Sequence, residues 1–243
     1  MKEKFQLRII CYLLALLLLV CPVKLAAQET IIASVSPEFP NGLHAKYLRF
    51  LAKELNVALK IKPIPLARRI KELEKGDIDI IVLAKRDNPE LIALMPSYSQ
   101  IDENLFVRAS EKHRISNQEQ LRSALIGVSH GSHLPQFVGN RELANTVEVN
   151  SLEQKVLMLK RKRIDGFFHT FSSANLVINE MGASDAIVSS VWQPGRKKRL
   201  SHFVISKKSR LFKYKAQLEQ IIQQAKNEGK FIQIRQQHYQ SKN

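Results

Sequence analysis

Short β-branched or apolar runs alternate with stretches whose apolar residues recur every three or four positions, and the alternation persists from residue 30 to the end of the chain. Residues 30–35 (TIIASV) read as a buried strand, which Pro37-Glu38-Phe39-Pro40-Asn41-Gly42 breaks with turn chemistry. Residues 44–55 then place Leu48, Leu51, Ala52 and Leu55 at helical spacing. Residues 57–64 (VALKIKPI) alternate like a strand. Residues 66–75 form a short helix with Leu66, Ile70 and Leu73 on one face, stopped by Gly76. Residues 78–84 (IDIIVLA) make the continuous apolar run that parallel sheets bury on both faces. This β-α-β-α-β opening predicts an α/β architecture.

A second set of the same kind follows. Strands are expected at 105–107, 125–128, 146–149 and 166–168, with helices over 118–124, from Leu134 after Gly131-Ser132, over 152–160 and over 173–181. Residues 202–205 read as a last strand. Residues 211–227 form a long helix carrying Leu218, Ile221, Ile222 and Ala225, interrupted at Gly229 and resumed over 231–238. Two α/β sets, with a final helix returning after the second, exceed what one plain Rossmann unit needs. No internal repeat, low-complexity tract or Pro/Gly-rich linker separates them.

The N-terminus bears on compartment. Lys2, Lys4 and Arg8 precede an apolar run over 9–20, and Leu25-Ala26-Ala27 supplies small residues for cleavage, so residues 1–27 read as a secretory signal peptide. The apolar run is shorter than the roughly 20 residues of a spanning helix. Export to the periplasm follows as the expectation. Both cysteines, Cys11 and Cys21, fall inside this segment, so disulfides, thiol catalysis and cysteine-ligated zinc are not expected of the remainder. The full chain carries a net charge of +16; removing four cations and one acid with the signal leaves +13. That charge favours anionic partners, and export argues against nucleic acid. Roughly 215 residues remain, enough for one large core or two small ones.

Four segments, in order, resemble the bacterial extracellular solute-binding proteins of family 3, which include amino-acid receptors of ABC transporters. Residues 66–79 (LARRIKELEKGDID) look like the family's helix, Gly-x-x-Asp turn and buried strand. Residues 121–132 (LRSALIGVSHGS) resemble the entry to its second lobe, residues 157–168 (LMLKRKRIDGFF) the segment after it, and residues 216–239 with Gly229 the closing helix and tail. The resemblance runs from about Thr30 to Tyr239. It implies a periplasmic-binding-protein-like fold: two α/β lobes joined by two crossover strands, near 105–108 and 202–206. Lobe one would comprise 28–106 and 200–243, lobe two 107–199, with the ligand trapped between them by hinge closure.

In open α/β sheets, ligands bind at the carboxyl ends of strands. That rule and the resemblance select four places. Phe39, after the first strand, sits where the family often puts an aromatic over the ligand; the competing reading is that it only covers the lobe core. Arg68, in Pro65-Leu66-Ala67-Arg68, resembles a cleft-facing arginine of one family branch and offers a fork for carboxylate or phosphate, with Arg69 the less favoured neighbour. Arg86 and Tyr98 follow the 78–84 strand. Amino-acid receptors carry a carboxylate-binding arginine thereabouts, but the best-matching segment, Asn88-Pro89-Glu90-Leu91, places Leu91 there. Gly131 and Ser132 would present free N–H groups at a helix start, suited to an anion. The aspartate that pairs with a ligand ammonium in amino-acid receptors maps onto His169 or Thr170. An anionic or polar neutral ligand therefore fits better than an amino acid.

The expected protein is a monomeric binding protein that captures such a solute for an inner-membrane ABC permease or a sensor, without cofactor or metal. His130 and His133 lack the partners of a metal motif. Two alternatives stand beside this reading. One is a cleft enzyme on the same fold using His130, His169 or Glu38, against which no catalytic constellation is visible. The other is an interaction protein with a degenerate cleft, docking through the basic runs 160–163 and 196–199.

Overall fold

The computed structural model describes residues 29–84, 92–101, 103–129, 145–193 and 199–240. Residues 1–27, expected to be a signal peptide, and the helix expected from Leu134 lie outside them. In chain order the first elements are β1 (Thr30–Val35), α1 (Leu43–Glu54), β2 (Ala58–Pro63), α2 (Leu66–Lys75), β3 (Ile80–Ala84) and β4 (Ile92–Ile101). Then come β5 (Glu103–Arg108), α3 (Gln118–Ser123), β6 (Leu125–Ser129), β7 (Asn145–Val149), α4 (Leu152–Lys160), β8 (Gly166–Thr170), α5 (Phe171–Glu180) and β9 (Ile187–Ser189). The chain closes with β10 (Arg199–Ser206), a 3-10 turn over Arg210–Tyr214, α6 (Lys215–Asn227) and α7 (Lys230–Gln240).

The strands form two five-stranded sheets of matching design, β2-β1-β3-β10-β4 and β7-β6-β8-β5-β9. In the first, β1 runs parallel to β2 and β3, while β10 runs antiparallel to β3 and β4. In the second, β6 runs parallel to β7 and β8, while β5 runs antiparallel to β8 and β9. The chain leaves the first sheet at Ile101 and enters the second at Glu103, because β5 pairs along its length with β8 and β9. It returns between β9 and β10. The segments 105–108 and 202–206 are thus interior sheet strands, and the outward crossing falls a few residues before them.

Helices cover both faces of each sheet, as near-continuous apolar strands require. In the first lobe, α1, α6 and α7 bury Leu48, Leu51, Leu218, Ile222 and Phe231 against β1 and β10, while α2 packs Leu73 against Ile78, Ile81 and Val204 on the other face. In the second, α4 and α5 bury Val156, Leu159, Val177 and Ile178 on one face, and Leu121 of α3 packs with Leu105 and Ile126 on the other. Each fully buried Leu, Ile or Phe contributes about 1.5–3 kcal/mol. Local signals set the helix ends. Asn117 and Ser151 accept from Gln120 N–H and Gln154 N–H as N-caps, and Gly76 closes α2 in the left-handed region at φ 89°.

One acid repeats in both lobes. Asp79 precedes β3 and donates its N–H to Ile32 O (2.7 Å), while its Oδ2 accepts from Ile32 N–H (2.6 Å). Asp165 precedes β8 and does the same to Leu125, at 2.7 and 2.8 Å. Each carboxylate satisfies a main-chain donor next to the first residues of a parallel strand, where the ladder has no carbonyl to offer. This pins the sheet register in each lobe.

Candidate ligand-binding cleft

The carboxyl ends of β1, β3, β6 and β8 face one another across a cavity of about 620 Å³, within the small-molecule range. From the first lobe it is lined by the 36–39 loop, His44 and Tyr47 of α1, Arg69 of α2, Tyr98 of β4 and Arg235 of α7. From the second come Ser129 of β6, Lys155 of α4, Phe168, His169 and Thr170 of β8, and Ser173 of α5.

The first-lobe floor is aromatic. Tyr98 stacks on Phe203 with centroids 4.3 Å apart and meets Tyr47 edge-on at 5.2 Å, and Phe231 closes the group. Burial pushes the hydroxyls of Tyr47 and Tyr98 up, so both stay neutral donors. Phe39 reaches further: it projects from the first lobe and packs against the apolar cluster of the second. Its loop is tight, with Gly42 N–H donating to Phe39 O at 3.0 Å. A Cβ on Gly42 would lie 2.7 Å from Phe39 Cβ, so close approach fixes glycine there.

Polar contacts join the lobes at Glu38 and at Tyr239. Leu152 N–H at the start of α4 donates to Glu38 Oε2 (2.7 Å), which places a first-lobe carboxylate on a second-lobe helix N-terminus. The hydroxyls of Ser173 and Tyr239 lie 3.3 Å apart. These contacts describe lobes drawn together over the cleft.

Charge in the cleft comes from three cations. Arg69 is 8% exposed and its Nε has no partner. Burial pulls its guanidinium down to about 10, which leaves it charged at neutral pH. Arg235 also presents a buried, unpartnered Nε. Lys155 is 1% exposed and donates from Nζ to Ser129 Oγ at 2.7 Å; burial lowers its ammonium to about 8, opposed by Glu38 and Glu103. His44 and His169 add none. His44 lines the cleft with an exposed side chain; desolvation by the surrounding protein, then Arg69 and Arg235, push its imidazole down to about 4. Desolvation, then Lys155, take His169 to about 3.

Of the residues expected at the site, Phe39, Tyr98, His169 and Thr170 line this cleft. Arg86, Gly131 and Ser132 lie outside the described residues. Arg68 is not among the lining residues: its side chain is 69% exposed and its Nε lies 2.6 Å from Glu72. One position along α2 turns a side chain by about 100°, and Arg69 faces the cavity instead. Lys155, Arg235 and Tyr47 were not singled out from the sequence. Among the described residues no group of three or more His, Cys, Asp or Glu forms a metal site, and no helix is long and apolar enough to cross a membrane.

Two α/β lobes closing on a polar cleft define a two-lobed ligand-binding protein. The model of the bacterial extracellular solute-binding proteins, family 3, matches residues 34–241, and the chain belongs to that family. No curated protein matches it. Solved structures share the fold at low identity. An amino acid ABC transporter substrate-binding protein, AbpA from Streptococcus pneumoniae bound to L-arginine, superposes with a TM-score of 0.75 at 15% identity, over 88% of this chain and 95% of that one. The GluR0 ligand-binding core with L-glutamate gives 0.74 at 12%, over 88% and 99%. A histidine kinase sensor domain similar to periplasmic binding proteins gives 0.74 at 12%, over 87% and 96%.

Proposed function

We propose that this chain is an exported periplasmic monomer that closes its lobes around a small polar or anionic solute, without cofactor or metal, and presents it to an inner-membrane ABC permease or a sensor. The observation that carries this reading is Arg69, a nearly buried guanidinium with an unpartnered Nε on the cleft wall. A buried polar group without a partner costs free energy, so a ligand group that completes it stabilises the closed form. Binding rather than catalysis fits the uncharged His44 and His169 and the family. Both transporter receptors and a sensor domain occur among the structural neighbours, so both destinations remain in the proposal.

The test is a thermal-shift screen of the chain from Gln28 against organic acids, amino acids, sugars, polyamines and muropeptides. A solute at 100 times its dissociation constant adds about 2.7 kcal/mol, which for a chain this size raises the melting temperature by about 5–10 °C. The hit should vanish in Arg69→Ala and persist in Arg68→Ala. No shift from any class would overturn solute capture and favour docking through the exposed run at 160–163.

A further inference from the structure

Among the described residues, the cleft lining holds three cations and two carboxylates, and both carboxylates are already committed to the protein. Glu38 accepts from Leu152 N–H, and its charge is felt by both Arg69 and Lys155. Glu103 acts on Lys155 in the same sense. Lys155 therefore occupies, with its own ammonium, the electrostatic place that an amine-bearing ligand would need. His169, beside it, supplies no negative charge to balance a second ammonium. Lys155 also lacks any reason to be cationic for its helix. It is the fourth residue of α4, where the positive helix end disfavours a cation, and it sits on the buried face between Leu152 and Leu159.

We propose that the cleft selects carboxylates that carry no amine, and that Lys155 is the residue that determines this selectivity. The inference rests on the cleft being a solute site and deepens that reading by naming the ligand class. Arg69 and Arg235 take the ligand carboxylate from the first lobe, while Lys155 closes from the second. An α-ammonium entering the same space meets Lys155 and competes with it for Glu38 and Glu103. Like charges a few ångströms apart at a partly desolvated site disfavour such a ligand by about 100-fold.

Isothermal calorimetry at pH 7 on matched pairs tests this: glutarate against L-glutamate, succinate against L-aspartate, propionate against L-alanine. The wild-type chain should bind the amine-free member of a pair at least about tenfold more tightly. Lys155→Met keeps the side-chain length without the charge and should narrow or reverse the gap. An amino acid bound as tightly as its amine-free partner overturns the inference while leaving solute capture intact, and so does a gap unchanged in Lys155→Met. Heat from neither member of any pair overturns the inference, and the thermal-shift screen then decides whether another solute occupies the cleft. The wild-type pairs decide by themselves should Lys155→Met not fold.

Discussion

Arg108 is the perturbation whose size the structure specifies best. It ends β5 and is 6% exposed. Its Nη1 donates to Leu159 O (3.1 Å) and Ile164 O (2.6 Å), which ties the last turn of α4 to the entry of β8. Its Nε and Nη2 grip Glu111 at 3.0 and 2.7 Å, and Nη2 reaches Asp165 at 3.4 Å. Arg108→Met keeps the stem and removes every donor. Two carbonyls lose the bond from Arg108, at about 1 kcal/mol each although Leu159 O keeps its bond from Lys162 N–H, and a charged pair worth about 1.5–3 kcal/mol is lost. The second figure is discounted because Arg114 stays 2.9 Å from Glu111 and 2.8 Å from Asp165. The expected loss is about 3–4 kcal/mol, or a fall of about 6–15 °C in melting temperature for a chain of this size. Scanning calorimetry should place the change in the second lobe's transition if the lobes melt separately. Arg108→Lys restores charge without the fork and should fall between the two. If Arg108→Met melts within about 2 °C of the wild type, the staple contributes nothing and the reasoning fails.

Asp79→Ala strands the half-buried Ile32 N–H and should cost about 1–2 kcal/mol in urea unfolding, whereas Asp79→Asn keeps an acceptor and should cost less. Hydrogen bonds from Arg108 and then Arg114 hold the Glu111 carboxyl down to about 2, against 4.5 unfolded. Its contribution is complete above about pH 4.5 and is lost as pH falls toward 2, so Glu111→Gln should flatten that part of the acid-unfolding curve. Gly42→Ala pushes against Phe39 and should raise the ligand's dissociation constant several-fold, measured by calorimetry, with little change in melting temperature.

The fold was legible wherever one local pattern ran unbroken. Helix α2 and strand β1 fall where periodicity and β-branching put them, because Gly76 ends the one and the Pro37–Gly42 turn ends the other. The long strand β4 escaped notice for a physical reason. Pro96 lacks a ladder donor, and Ser97 and Ser99 dilute its apolar pattern. The strand tolerates the proline because, among the described residues, it pairs only with β10 and its register slips between Ser201 and Val204, where the ladder is already irregular. Strand β9, three residues long, leaves too short a pattern to read. The start of α6 was placed too early because the 3-10 turn over Arg210–Tyr214, capped by Ser209, carries the same apolar spacing in its first residues.

The cleft was partly legible, and the missed residues share one signature. Leu66, Arg69, Ile70 and Leu73 occupy the i, i+3, i+4, i+7 stripe of α2. Leu152, Lys155, Val156 and Leu159 do so in α4, and Phe231, Ile234, Arg235 and His238 in α7. In each helix a cation stands where the stripe calls for an apolar side chain. Such a residue must be buried, and a buried charge persists only where something compensates it. Arg69 and Lys155 are each the fourth residue of a helix that follows a strand's carboxyl end, so the same two facts place them at the cleft. Against the helix dipole, neither serves the helix it belongs to. Arg68 looked the better candidate by motif, but it lies off the stripe and pairs with Glu72 in solvent. A cation on an apolar stripe, in the first turn after a strand, is the stronger pointer because burial forces it to find compensation: Lys155 finds it in Ser129 and the field of Glu38, and the Nε of Arg69 is left open on the cleft wall.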